Sequence, residues 1–382
     1  MSKTVFLKIN PEVLRWARVS ISKSIDEVEK ETGIDKRRIR DLEQGFKNPS
    51  LPELKEMSKS YKRTIATLLL DKAPTEKGLP KDMRTVNSAV LEDFHPSTIL
   101  AVRTARSLSK SFIQLRNELG ITPIKFQYSA TLSDSPKLKA DFFREVLNLK
   151  ALRSVENTNQ FLDGCIESVN SIGVAVFQLR IVQDGIRGFS IVDEEIPIIV
   201  IKRSNEQPTS KTFTLFHEFA HILLNEGGIC DMRHSSIYGI EKWCNAFAAE
   251  ILMPEREFLS NEIIKSKRQS RDLNWTKSEL FKLSNSFHVG PLSILRRLLE
   301  NNLATEDFYR EKHDLWNKPS FGRSKKAEGR NISKEMVKEK GRSYVSMAFK
   351  AYDQNRIDLK DLSDYLGLKL KYLPKARELT TM

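Results

Sequence analysis

Thr212 to Glu226 reads TFTLFHEFAHILLNE, and Glu241 to Pro254 reads EKWCNAFAAEILMP. In the first stretch His217 and His221 are four residues apart. At about 100° per residue a helix projects both imidazoles from one face, within reach of a single ion. That is the arrangement by which an H-E-x-x-H helix holds Zn²⁺. Glu218 can lean over the open side of such an ion and take a proton from a bound water. Phe213, Phe216, Phe219, Ala220, Leu223 and Leu224 cover the rest of the cylinder, so the spacing predicts a buried helix whose histidines need a partner.

A catalytic zinc takes a third protein ligand and leaves its fourth position to water. Glu241, at the head of the second amphipathic run, is the candidate. Asn245, one turn later on the same face, can hydrogen-bond the outer nitrogen of a ligand histidine and fix its tautomer. Ala246, Phe247, Ala248 and Ala249 keep the packing surface small enough for two helices to share one ion, and Pro254 ends the run. An H-E-x-x-H string alone is common in unrelated chains. On an apolar helix, followed after about twenty residues by E-x-x-x-N on a second one, it reads as a metal site.

The two stretches resemble the ImmA/IrrE family of zinc metallopeptidases. The family motif, H-E-x-x-H, then E-x-x-[AC]-N-x-F-A, then L-M-P, is matched by His217, Glu218, His221, Glu241, Asn245, Phe247, Met253 and Pro254. The resemblance implies that His217, His221 and Glu241 are the zinc ligands and Glu218 the general base. Cys244 stands where that motif takes Ala or Cys as a small packing residue, with a role as ligand the alternative. An oxyanion donor is also needed. His234 and Tyr238, on the expected loop between the ligand helices, are the nearest in sequence.

The chain of 382 residues has room for two or three domains. Cys165, Cys230 and Cys244 are too few and too scattered for a disulfide framework and suggest a reducing compartment. No apolar run reaches membrane-spanning length and the start lacks a basic-then-apolar signal, so the expectation is a soluble cytoplasmic protein with no membrane partner. The net charge of +13 is unevenly divided: residues 1–72 carry 16 basic and 11 acidic side chains, 73–260 carry 21 and 23, and 261–382 carry 26 and 16. Two basic flanks around a near-neutral centre suit nucleic acid or an acidic partner, and equally a solvated lysine-rich surface.

Residues 11–70 read as four or five short helices, with Ser24 and Asp35 as N-caps and Gly33 and Gly45 as stops. Two of them joined by a T-G-I-D turn have helix-turn-helix spacing, and EQGFKNPSLPELKEMSKSY resembles the closing half of an Xre/Cro-type domain. Lys36, Arg37, Arg38 and Arg40 on the second helix would then face a DNA groove. Ile25 and Glu29 depart from that family's usual Gln and small Ala, and Asp26, Glu27, Glu29 and Glu31 turn poorly toward phosphate. A module for protein contact is the competing reading.

The expected fold is α+β and mostly α: a helix-turn-helix bundle over 1–72, a linker over 73–96, and a zincin-like peptidase core with a small three-stranded sheet over 97–260. A helix-turn-helix-like segment over 261–316, a basic linker over 317–334 and a helical module over 335–382, guessed to dock or dimerise, complete it. The resemblance implies a protein substrate, a helix-turn-helix repressor, in a stress, mobile-element or toxin–antitoxin circuit. DNA and a second copy of the chain stay open as partners. The rival reading is a non-proteolytic transcriptional regulator or antitoxin that keeps the zinc fold as scaffold.

Overall fold

The computed structural model describes residues 5–78, 94–122, 124–204, 206–225, 234–316 and 331–381, with only the backbone described for 225, 234–238 and 381. Cys230, residues 79–93 of the expected first linker and residues 317–330 of the second lie outside them. The chain divides into two compact units, Met1–Arg103 with Val182–Asp184, and Thr104–Ile181 with Gly185–Met382. Among the described residues no helix is long and apolar enough to cross a membrane.

In the first unit, short helices α1 (Pro11–Val19), α2 (Ile25–Thr32), α3 (Lys36–Glu43), α4 (Leu51–Tyr61) and α5 (Ile65–Leu68) close over Leu14, Val28, Ile39, Leu42, Leu54 and Met57. Local chemistry sets their ends. Ser24 and Ser50 form reciprocal capping boxes with Glu27 and Glu53, and Gly33 stops α2 with φ of 71°. Arg18 donates two hydrogen bonds of 2.8 Å to the buried Glu43. Glu29 accepts the Lys36 backbone N–H at 2.9 Å, so the carboxylate that departs from the family's small residue caps the start of α3.

Arg38 reaches across to Glu53, with hydrogen bonds of 2.8 and 3.0 Å, and donates a third to the Asn48 carbonyl. The guanidinium and the capping-box contacts of Ser50 hold the Glu53 carboxyl down at about 2. Because the folded value is depressed, this stabilisation is complete above about 4.5 and is lost as pH falls toward 2. Unfolding followed by NMR through amides of α3 and α4 should therefore show stability falling across that window. In Arg38→Ala the slope should flatten; an unchanged slope would mean the pair does not contribute.

In the second unit, α6 (Pro96–Glu118, from Thr104 on), α7 (Pro136–Val146), α8 (Leu149–Leu152) and α9 (Thr158–Ser171) precede strands β1 (Ala175–Leu179), β2 (Gly188–Ile191) and β3 (Ile198–Lys202). The sheet order is β1-β3-β2, with β1 parallel and β2 antiparallel to β3. Nearly every strand residue is buried, which explains runs of β-branched residues in place of a clean alternation. The helices α10 (Pro208–Asn225) and α11 (His234–Leu252) follow, then α12 (Glu255–Ser260), α13 (Glu262–Ser270), α14 (Lys277–Phe287), α15 (Pro291–Glu300) and α16 (Glu306–Trp316).

The C-terminal helices are α17 (Ile332–Lys340), α18 (Arg342–Asp353), α19 (Leu359–Leu366) and α20 (Leu373–Thr381). Asn331 caps α17, so residues 332–334, expected at the end of a linker, are already helical. These helices pack on the chain's own core. Tyr344 stacks on Phe112 with ring centroids 6.2 Å apart, Glu167 accepts from the Ser343 backbone N–H and hydroxyl, and Arg203 pairs with Glu339 at 2.9 Å.

Candidate metal centre

Helix α10 is built to be buried. Leu215, Phe216, Phe219, Ala220, Ile222 and Leu223 are all fully enclosed. The Thr212 and Thr214 hydroxyls, which would otherwise be stranded, donate to the carbonyls four residues back at 3.0 and 3.1 Å. Helix α11 lies against it through Phe247 and Ala248, with the Phe143 ring edge-on to Phe219 at 5.0 Å. This pairing fixes where the polar face of each helix points.

That face brings His217, His221 and Glu241 together. The two Nε2 atoms are 3.1 Å apart, and the Glu241 oxygens lie 3.4 Å from His217 Nε2 and 3.3 Å from His221 Nε2. A tetrahedral ion with bonds of about 2.0–2.1 Å has ligand–ligand edges of roughly 3.3 Å, so the donor triangle fits a divalent metal such as zinc. Electrostatics agree. Burial opposes charge on His221, yet Cys244, Glu241 and Glu218 together hold its proton affinity well above the ordinary value. Hydrogen bonds from both histidines pull the Glu241 carboxyl far below the carboxylate range. A pocket that concentrates protons in this way holds negative charge that a cation can neutralise.

Asn245 Oδ1 lies 3.1 Å from His217 Nδ1. The amide oxygen can only accept, so Nδ1 carries the hydrogen and Nε2 keeps its lone pair for the ion. Asn245→Ala should weaken metal binding by about 10- to 100-fold, read by titration against a chelator of known affinity. Equal affinity in variant and wild type would remove Asn245 from the site. Cys244 is fully buried and in hydrogen-bonding contact with His221, and burial pushes its thiol up. It falls outside the group of donors that could share an ion among the described residues.

Glu218 is 8 % exposed and follows His217 on the same helix. Its Cγ packs beside Gly188 of β2: a Cβ there would come within 3.3 Å of Glu218 Cγ, 2.7 Å of Thr214 Cγ2 and 2.8 Å of the Val200 carbonyl. Glycine at this strand position is what lets α10 approach the sheet. A glycine heading a β-branched run was the available signal for this contact, and it reads equally as punctuation until the partner helix is known.

His234 and Tyr238 do not stand on a loop. Helix α11 begins at His234, about two turns before Glu241, so both residues belong to its first turns, and their side chains lie outside the described residues. His234, the two serines and Gly239 are weak helix formers, which hides the start of this helix in the sequence.

On α3, Lys36, Arg37 and Arg40 are exposed, Lys36 lying 3.6 Å from Asp26, while Arg38 is spent on Glu53 and Asn48. In the segment that follows the metal helices, Arg297 is locked to the buried Glu250 of α11, and Arg296 pairs with Glu300 at 3.1 Å. His288 stacks on Phe161 at 4.1 Å, a structural place.

Residues 169–299 match the family described as the IrrE N-terminal-like domain, Peptidase_M78, and residues 14–68 match the helix-turn-helix family HTH_3. No curated protein matches the chain. The first match takes in all of α10 and α11, and with them His217, Glu218, His221, Glu241 and Asn245.

Proposed function

We propose that this chain, an ImmA/IrrE-type protein with an N-terminal Xre-type helix-turn-helix, is a zinc-dependent endopeptidase that cleaves a helix-turn-helix repressor. The observation that carries the reading is the triangle of His217, His221 and Glu241 donors with Glu218 buried beside it. Bound zinc would supply Lewis acidity, polarising the scissile carbonyl and making a water acidic near neutrality. Glu218 accepts the proton of the attacking water and delivers it to the leaving nitrogen. Asn245 keeps His217 in the ligating tautomer. His234 and Tyr238 are the proposed oxyanion donors.

The substrate enters as an extended strand. Among the described residues strand β2 pairs only with β3 and is the edge of the sheet nearer α10, so its outer backbone groups can satisfy those of a peptide without reading its sequence. Specificity then rests on the fused helix-turn-helix, which brings the enzyme to DNA where its repressor sits. Lys36, Arg37 and Arg40 carry the phosphate contacts.

The test is metal analysis of the full chain together with cleavage of helix-turn-helix proteins encoded nearby, with and without chelator. One zinc per chain and cleavage that chelator stops and zinc restores are expected. Zinc bound with none of these proteins cut would favour the scaffold reading. For DNA, Arg37→Ala and Arg40→Ala should each weaken binding in a shift assay and lower the salt slope by about one; unchanged slopes would sink the recognition-helix assignment.

A further inference from the structure

The landmarks of the N-terminal helix-turn-helix recur in the C-terminal helices. In the first unit, α2 spans eight residues from a capping box, ends on the left-handed Gly33 and leads into α3. In the second unit, α19 also spans eight residues from a capping box, here Asp358 with Asp361, and ends on Gly367 with φ of 62°. A short 3-10 turn, Leu370–Tyr372, then runs into α20. With Gly367 set on Gly33, the buried positions coincide. Ala348 falls on Leu14, Ala351 on Ala17, Leu362 on Val28, Leu373 on Ile39 and Ala376 on Leu42, and all ten side chains are buried. Helix α18 packs against both α19 and α20, which closes the three-helix frame that a helix-turn-helix requires.

The outer face of the second helix is basic. Lys369, Lys371 and Lys375 are exposed there, with Leu370 between the first two at 52 % exposure. Lys371 takes the place of Arg37 in α3, and Lys360, exposed on the first turn of α19, takes the place of Asp26 in α2. Lys369 and Lys371 have no carboxylate at ion-pair distance among the described residues. Lys375 pairs with Glu378 at 2.6 Å, an exposed contact worth little and easily exchanged for phosphate. Asp358 and Asp361 each accept a backbone N–H of the α19 cap. The pair α14 and α15, also helix-turn-helix-like, has no such face, because Arg297 is locked to Glu250 and Arg296 pairs with Glu300.

We propose that the C-terminal helices form a second helix-turn-helix that binds duplex DNA, with Leu370 against base edges in the major groove and Lys360, Lys369, Lys371 and Lys375 on the flanking phosphates. Leucine at the tip suits the methyl group of a thymine, and the lysines supply affinity and register. The contact belongs to the unit that holds the metal centre, so that unit reaches DNA on its own account. Neither cleavage nor DNA binding by the N-terminal module is needed for it.

Binding is read by fluorescence anisotropy on the zinc-loaded full chain carrying Arg37→Ala and Arg40→Ala, which weaken any contribution from α3. The probes are a labelled DNA duplex of about 30 base pairs, roughly three turns of groove, and an RNA duplex of the same sequence, whose major groove is too narrow for a helix. DNA should bind with a dissociation constant of about 10⁻⁶–10⁻⁴ M at physiological salt, and tighter than RNA. Adding Lys369→Ala, Lys371→Ala and Lys375→Ala should cost at least about tenfold at low salt and lower the salt slope by about two to three. Removing the same charge elsewhere on the second unit, by Lys150→Ala, Arg268→Ala and Lys282→Ala, should change binding far less. Leu370→Glu, at an exposed position, should weaken DNA binding with the melting temperature unchanged. Equal losses in the two triple variants overturn the proposal, as does RNA bound as tightly as DNA. No DNA binding by the Arg37→Ala/Arg40→Ala chain also overturns it, and leaves the face to a protein partner.

Discussion

Glu218→Gln should keep its metal and its melting temperature and lose about 10²- to 10⁴-fold in cleavage rate, the usual contribution of a positioned general base. Glutamine preserves the shape of the side chain that packs beside Gly188 and removes only the group that accepts a proton. The donors His217, His221 and Glu241 are untouched, so metal content measured on the purified variant should equal that of wild type. The two readouts together separate a base from a structural carboxylate. Cleavage within a few-fold of wild type at full metal content would take proton transfer away from Glu218. The variant should also retain a bound protein substrate long enough for it to be recovered and identified.

Arg297→Ala should destabilise the second unit by about 3–5 kcal/mol, the cost of stranding one partner of a buried ion pair. Glu250 is 5 % exposed and pairs with Arg297, while also accepting the Glu255 backbone N–H at 3.0 Å. Without the guanidinium, its charge has no partner of opposite sign at ion-pair distance among the described residues. Glu250 lies on the helix that carries Glu241 and Asn245, nine and five residues before it, so metal affinity should fall together with stability. The paired change Arg297→Met with Glu250→Gln should recover most of the loss, because no buried charge then remains. Denaturant unfolding of the zinc-loaded chain is the measurement. A loss under about 1 kcal/mol would mean that water reaches the carboxylate.

Arg297 also shows how the letters mislead about function. In sequence, Arg297 beside Arg296 reads as a residue that lines a wet face or meets phosphate, and Arg38 on α3 as one that faces a DNA groove. Both are consumed by carboxylates far away in sequence, 47 residues off for Arg297 and 15 for Arg38. Basic residues reveal their partners only when the chain has closed.

The sequence by itself singled out His217, His221 and Glu241, the three side chains that the fold brings together, and the helix that carries the two histidines. A ligand pair four residues apart needs only the helical repeat, and an apolar cylinder around it needs burial. The helices around the N-terminal turn were legible too, because Ser24, Gly33 and Asp35 set their ends through contacts no more than four residues away. The tertiary structure alone decided that α11 starts at His234, that β2 is the strand beside Glu218, and that the C-terminal helices close onto β1 of the same chain. These depend on pairings between distant segments, where hydrophobic burial and long-range ion pairs outweigh local preference, and spacing along a chain carries no record of them.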